Sequence, residues 1–143
     1  MQDVCKKLTK IIKANENFII MTHSHPDLDA IGSSLGMYKI IKSFGKNCKI
    51  VKGVAGSNNA VNKALKMLST EENIEWISKK EALETITEDT VLIILDTLKK
   101  ELVESPALID KTNNIILLSA RCPYRTFLCA FIYNLFLSSQ INK

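Results

Sequence analysis

Phe18-Ile19-Ile20-Met21-Thr22-His23-Ser24-His25-Pro26-Asp27-Leu28-Asp29-Ala30-Ile31-Gly32 is the stretch whose reading decides the fold. Phe18 to Met21 is a short apolar run cut off by a polar loop, the pattern of a strand buried in a parallel sheet. From Ala30 to Phe44 the period changes. Ile31, Leu35, Tyr38 and Ile41 fall at helical spacing, and Gly45 stands where a helix C-cap expects it.

The same alternation continues on both sides. Val4 to Ala14 places Val4, Leu8, Ile11 and Ile12 on one helical face. Lys49 to Val51 reads as a strand, followed by the turn residues Gly53, Gly56, Ser57 and Asn58. Val61 to Leu68 is helical and Ile74 to Ile77 is a strand. Ser78 with Glu81 three residues on is a capping-box signature for a short helix. Thr90 to Leu95, uncharged and rich in β-branched residues, is the strongest strand, and Ile115 to Leu118 is a further one. This order predicts an α/β fold: a parallel sheet with helices on both faces.

Composition bounds the rest. A chain of 143 residues suits one domain with a real core. A net charge of +4 without a clustered basic stripe gives no argument for duplex nucleic acid. Cys5, Cys48, Cys122 and Cys129 show no CxxC or zinc-type spacing and no secretory signal precedes them, so free thiols in a cytoplasmic protein are expected. The longest apolar run, Phe127 to Leu137, is too short for a membrane helix.

The charges divide the chain at Leu118. All 15 acidic residues lie before Ser119, whereas both arginines and five of the nine aromatics lie after it. Residues 1–118 therefore read as one partial domain. Residues 119–143 read as a divergent apolar tail, either a docking helix or the product of a frameshift. Self-association through it is left open.

In open α/β sheets, ligands bind outside the carboxyl ends of the strands. Phe18–Met21 exits into His23, Asp27 and Asp29, and Thr90–Leu95 exits into Asp96. An imidazole with three carboxylates suits hard divalent ions such as Mn²⁺ or Mg²⁺. Two such ions about 3.5–4 Å apart hold the attacking and leaving oxygens of a phosphate ester. Gly32 is expected to allow close backbone approach. The plainer readings are Asp29 as helix N-cap, Asp96 as a turn cap and His25 as an ordinary loop histidine. What favours the metal is that His23, Asp27, Asp29 and Asp96 all stand at strand exits. A His-x-His zinc site of the amidohydrolase or metallo-β-lactamase kind needs further histidines, and none follows His25.

Residues Thr22 to Ser33 resemble the first motif of the DHH phosphoesterases, and Leu92-Ile93-Ile94-Leu95-Asp96-Thr97 resembles the second. Leu102 to Ile109 is similar to the following segment of the GdpP type, the membrane-anchored cyclic-di-AMP phosphodiesterases. The resemblance covers about Val4 to Leu118. It implies Mn²⁺ as cofactor, with His23, Asp27, Asp29 and Asp96 as metal ligands and Asp29 and Asp96 as the catalytic carboxylates. It implies a small cyclic dinucleotide as substrate, hydrolysed to the linear form. A hydrolase of the oligoribonuclease or pAp-phosphatase type is the alternative within the family.

The sequence also departs from the pattern. Ser119-Ala120-Arg121-Cys122 stands where Asp-His-His should follow, and Leu98 where the GdpP type usually has histidine. The fourth motif, the substrate-binding second domain, the membrane helices and the sensory domains have no counterpart here. The expectation is a chain truncated before its third motif. One ion would be held by His23, Asp27 and Asp96, while Asp29 and Asp96 alone remain for a second. Activity is then expected to be weak or absent, with a non-catalytic metal-binding remnant or an unstable fragment as the competing readings.

Overall fold

A computed structural model of the chain describes residues 2–53, 59–68, 70, 73–97 and 99–118. The expectations for the tail, for Leu98 and for Gly56, Ser57 and Asn58 lie outside the described residues.

Helix α1 (Gln2–Ala14) leads into β1 (Asn17–Met21), followed by α2 (Leu28–Ser43), β2 (Asn47–Val51), α3 (Asn59–Leu68), β3 (Trp76–Ile77), α4 (Lys79–Thr85), β4 (Val91–Leu95) and β5 (Asn114–Leu118). Two short 3₁₀ turns, Lys100–Leu102 and Pro106–Lys111, lie between β4 and β5. All pairings are parallel and the strand order is β3-β2-β1-β4-β5. The chain thus builds outward from β1 in one direction, then returns to its other side with β4. The crevice between β1 and β4 is the topological switch point, where such sheets bind ligands.

Period-2 alternation along β1 and β4 separates two cores. Phe18, Ile20, Val91, Ile93 and Leu95 pack on one side with Leu8 and Ile12 of α1 and Met37, Ile40 and Ile41 of α2. Ile19, Met21, Leu92 and Ile94 pack on the other with Ala82 of α4, Val103 and Leu108. Every residue of β4 is buried, as a central strand covered on both faces requires. The expected α/β sheet with helices on both faces is what the chain forms. The far edge is less covered: Ile115 and Leu117 of β5 are exposed. No helix among the described residues is long and apolar enough to cross a membrane.

Several boundaries differ from the sequence reading by one or two residues, and two of the differences have a visible physical reason. Helix α2 starts at Leu28 rather than Ala30, because Asp27 is its N-cap and accepts the Ala30 N–H at 2.8 Å. Strand β3 is shorter than Ile74–Ile77, because the Tyr38 hydroxyl donates to Asn73 O at 2.9 Å and accepts from Glu75 N–H at 3.1 Å. A side chain thus occupies backbone groups just ahead of Trp76. The C-terminus of α2 is as expected: Phe44 caps it and Gly45 follows at φ 73°, the left-handed conformation that glycine adopts freely.

Candidate metal centre

The register that pairs Met21 with Ile94, carried two residues further, sets His23 opposite Asp96. Their side chains meet, with His23 Nε2 3.4 Å from Asp96 Oδ2, each about a fifth exposed. Asp96 leaves β4 in the left-handed region, at φ 61°, and His25 sits there too at φ 59°. That conformation costs most L-residues about 1–2 kcal/mol, and aspartate is among those that tolerate it best. The Asp96 N–H still donates to Leu118 O at 2.9 Å, so the turn stays fastened to β5.

The His23 ring is oriented by its other nitrogen. Nδ1–H donates to Ser24 O at 2.9 Å. A carbonyl can only accept, so a proton belongs on Nδ1, and Nε2 is the ring nitrogen that faces Asp96. The backbone beneath is stapled as well. His23 forms an antiparallel bridge with Val103, Ser24 N–H donates to Leu102 O at 2.7 Å, and Glu104 N–H donates to Thr22 O at 2.8 Å.

Asp27 arrives from the α2 side. One of its oxygens is engaged at Ala30 N–H, which fixes the carboxylate at the positive end of the helix and leaves it a second oxygen to offer. His23, Asp27 and Asp96 each present a ligand atom, and these atoms all lie within 4.8 Å of one another. No other group of three such residues converges among the described residues. An octahedral ion with bonds of about 2.1 Å spans donors up to roughly 4.2 Å apart, so a contraction of a few tenths of an ångström closes the site. One nitrogen and two carboxylate oxygens suit a hard or borderline divalent cation better than a thiophilic one. The residues present therefore fit one such ion.

Asp29 lies outside that group, exposed in the first turn of α2. It is not the N-cap: Asp27 is. His25 is exposed and also outside the group. The space around Gly32 is open, and a Cβ there would meet nothing within 4 Å. Within the protein the close approach is at Gly53, where a Cβ would stand 2.8 Å from Pro26 Cγ and Cδ. The segment Leu102–Glu104 is marked in the sequence only by its resemblance to the family segment, and nothing in it or at Ser24 signals a place beneath His23. Only the fold brings them beneath His23.

Known proteins share this sequence pattern and this fold. Residues 17–118 match the family described as DHH family, N-terminal domain. Cyclic-di-AMP phosphodiesterase GdpP of Bacillus subtilis is 31% identical over 113 residues, which are 78% of this chain and 17% of that protein. Cyclic-di-AMP phosphodiesterase PdeA of Listeria monocytogenes is 28% identical over 115 residues, 79% of this chain and 18% of that protein. The chain thus spans less than a fifth of the length of these relatives. A crystal structure of an exopolyphosphatase-related protein from Bacteroides fragilis shares the fold, with a TM-score of 0.68 at 20% identity, covering 97% of this chain and 44% of that one.

Proposed function

This chain belongs to the DHH family, and from that premise we propose that it supplies a metal-holding part of a Mn²⁺-dependent phosphodiesterase site whose substrate class is a cyclic dinucleotide. The observation that carries the reading is the convergence of His23, Asp27 and Asp96 at the β1/β4 switch point. The cyclic-di-AMP phosphodiesterases among its relatives support the choice of substrate.

A bound divalent ion would act as a Lewis acid on a phosphoryl oxygen and lower the pKa of bound water. The chain's own residues do the positioning. His23 offers Nε2 because Ser24 O holds Nδ1–H. Asp27 offers one oxygen because Ala30 N–H holds the other. Asp96 is aimed by its left-handed backbone and by Leu118 O. Asp29 and Asp96 are the carboxylates we assign to a second ion and to catalysis. With Asp29 outside the cluster, the described residues furnish three convergent donors for one ion and fewer for another. We therefore assign this chain alone weak turnover or none.

Incubation of the full chain with Mn²⁺ and cyclic-di-AMP, beside an Asp96→Ala control, tests the proposal. Linear dinucleotide above the control supports a working site. Mn²⁺ binding without product supports a metal-binding module, and absence of both overturns the reading. A short oligoribonucleotide in the same assay decides between the two substrate types of the family.

A further inference from the structure

Among the described residues, Glu104 is the one charged side chain in the buried interior, with its carboxyl group 1% exposed. Lys79 Nζ lies 2.7 Å from its Oε1, yet neither carboxylate oxygen has a hydrogen-bond partner of good geometry. A buried carboxylate served by a single cation is costly, and it persists where its surroundings impose it.

Those surroundings are the two arms of the loop that carries His23 and Asp27. On one arm, the Glu104 N–H donates to Thr22 O, while Val103 bridges His23 and Leu102 O accepts from Ser24. On the other, Gly53 lies flush between Glu104 and Pro26. A Cβ placed on Gly53 would be 2.8 Å from the Pro26 ring and 3.4 Å from Glu104 Oε2. Pro26 immediately precedes Asp27. The segment that does this lies outside the five strands, from the end of one short 3₁₀ turn to just before another, and is tied to the chain beyond β1 by the Val103–His23 bridge and its flanking bonds. Its charged anchor is Lys79, the first residue of α4.

We propose that Glu104, held by Lys79, is a positioning residue for the metal-holding loop: the ion pair fixes Leu102–Glu104 under Thr22–Ser24 and thereby sets the tautomer and aim of His23. The effect passes through Ser24. Its N–H is bonded to Leu102 O, and its carbonyl in turn receives His23 Nδ1–H. Loss of the pair frees the peptide that chooses which ring nitrogen is protonated. The consequence for metal affinity rests on the proposed metal site, whereas the consequence for the ring does not.

The chain has two histidines, so nitrogen-detected NMR of the imidazoles resolves His23 from His25 in the full metal-free protein. We expect wild-type His23 to be chiefly the Nδ1–H tautomer at alkaline pH. In Glu104→Gln and in Lys79→Met, a mixture of tautomers is expected with His25 unchanged. Mn²⁺ affinity should fall about 10–100-fold, the usual loss when an outer partner of a ligand is removed. Lys79→Arg should restore both readouts. Lys79 is half exposed, so its variants test the pair even if Glu104→Gln fails to fold. An unchanged His23 tautomer in Lys79→Met, with only a lower Tm, overturns the inference. If the wild type binds no Mn²⁺, the proposed function fails, and the tautomer still decides this inference.

Discussion

His23 Nε2 and Asp96 Oδ2 stand 3.4 Å apart because β1 and β4 are register-matched neighbours that end together at the sheet's switch point. A cation bound there would meet an imidazole nitrogen and a carboxylate already turned toward each other. The ordering needed on binding is correspondingly small.

Asp27 has two tasks that substitution can separate. Asparagine caps helices about as well as aspartate, so Asp27→Asn should leave Tm nearly unchanged while Mn²⁺ affinity falls. Asp27→Ala should lose the affinity and about 1 kcal/mol of stability besides. Thermal denaturation beside a metal titration checks both, and full Mn²⁺ affinity in Asp27→Asn would remove Asp27 from the site.

Two glycines should respond in opposite directions. Gly53→Ala forces a Cβ against the Pro26 ring, and such overpacking costs about 1–3 kcal/mol. It should also displace Asp27 and weaken metal binding. Gly32→Ala meets nothing within 4 Å in an exposed helical position, and should stabilise by about 1 kcal/mol. Urea denaturation of the two variants measures the difference.

The capping box at α4 gives a pH signature. Ser78 N–H donates to Glu81 Oε2 at 2.7 Å, and Glu81 N–H donates to Ser78 Oγ at 3.2 Å. The Ser78 backbone bond, with that side chain second, holds the Glu81 carboxyl below its ordinary pKa. A carboxylate with a lowered folded pKa stabilises fully above its unfolded value and loses that contribution as pH falls through the folded one. Glu81→Gln should therefore flatten the acid limb of stability below about pH 4.3 relative to wild type. Ser78→Ala should cost about 1 kcal/mol at neutral pH. Chemical denaturation across the acid range reads both.

Cys48 lies fully buried in β2, and that burial pushes its thiol far above the usual range. In a variant with the other three cysteines changed to serine, alkylation should be negligible in native protein and rapid in denaturant. Ready labelling under native conditions would contradict the packing of β2 against α2.

Much of this was legible in the sequence because it depends on local periodicity. Phe18–Met21 lies in β1 and all of Thr90–Leu95 except Thr90 forms β4, and the fold brings together His23, Asp27 and Asp96 from the polar residues that follow, leaving Asp29 out. The helix start was misplaced because Asp27 and Asp29 are both plausible caps, and only the hydrogen bond to Ala30 distinguishes them. Gly53 gave no signal, since the close approach of Pro26 is a property of neighbours distant in sequence. The burial of Glu104, inside a segment noted only for its resemblance, gave no signal for the same reason: it depends on Lys79, Gly53 and Thr22, which come from three other segments.

Titration of the full chain with Mn²⁺, followed by the loss of the free-ion electron paramagnetic resonance signal, tests the metal centre most directly. The wild type should bind at least one ion per chain, and His23→Ala and Asp96→Ala should each abolish that binding while retaining a cooperative thermal transition. Binding undiminished in Asp96→Ala, or none in the wild type, would contradict the assignment of His23, Asp27 and Asp96 as the metal site.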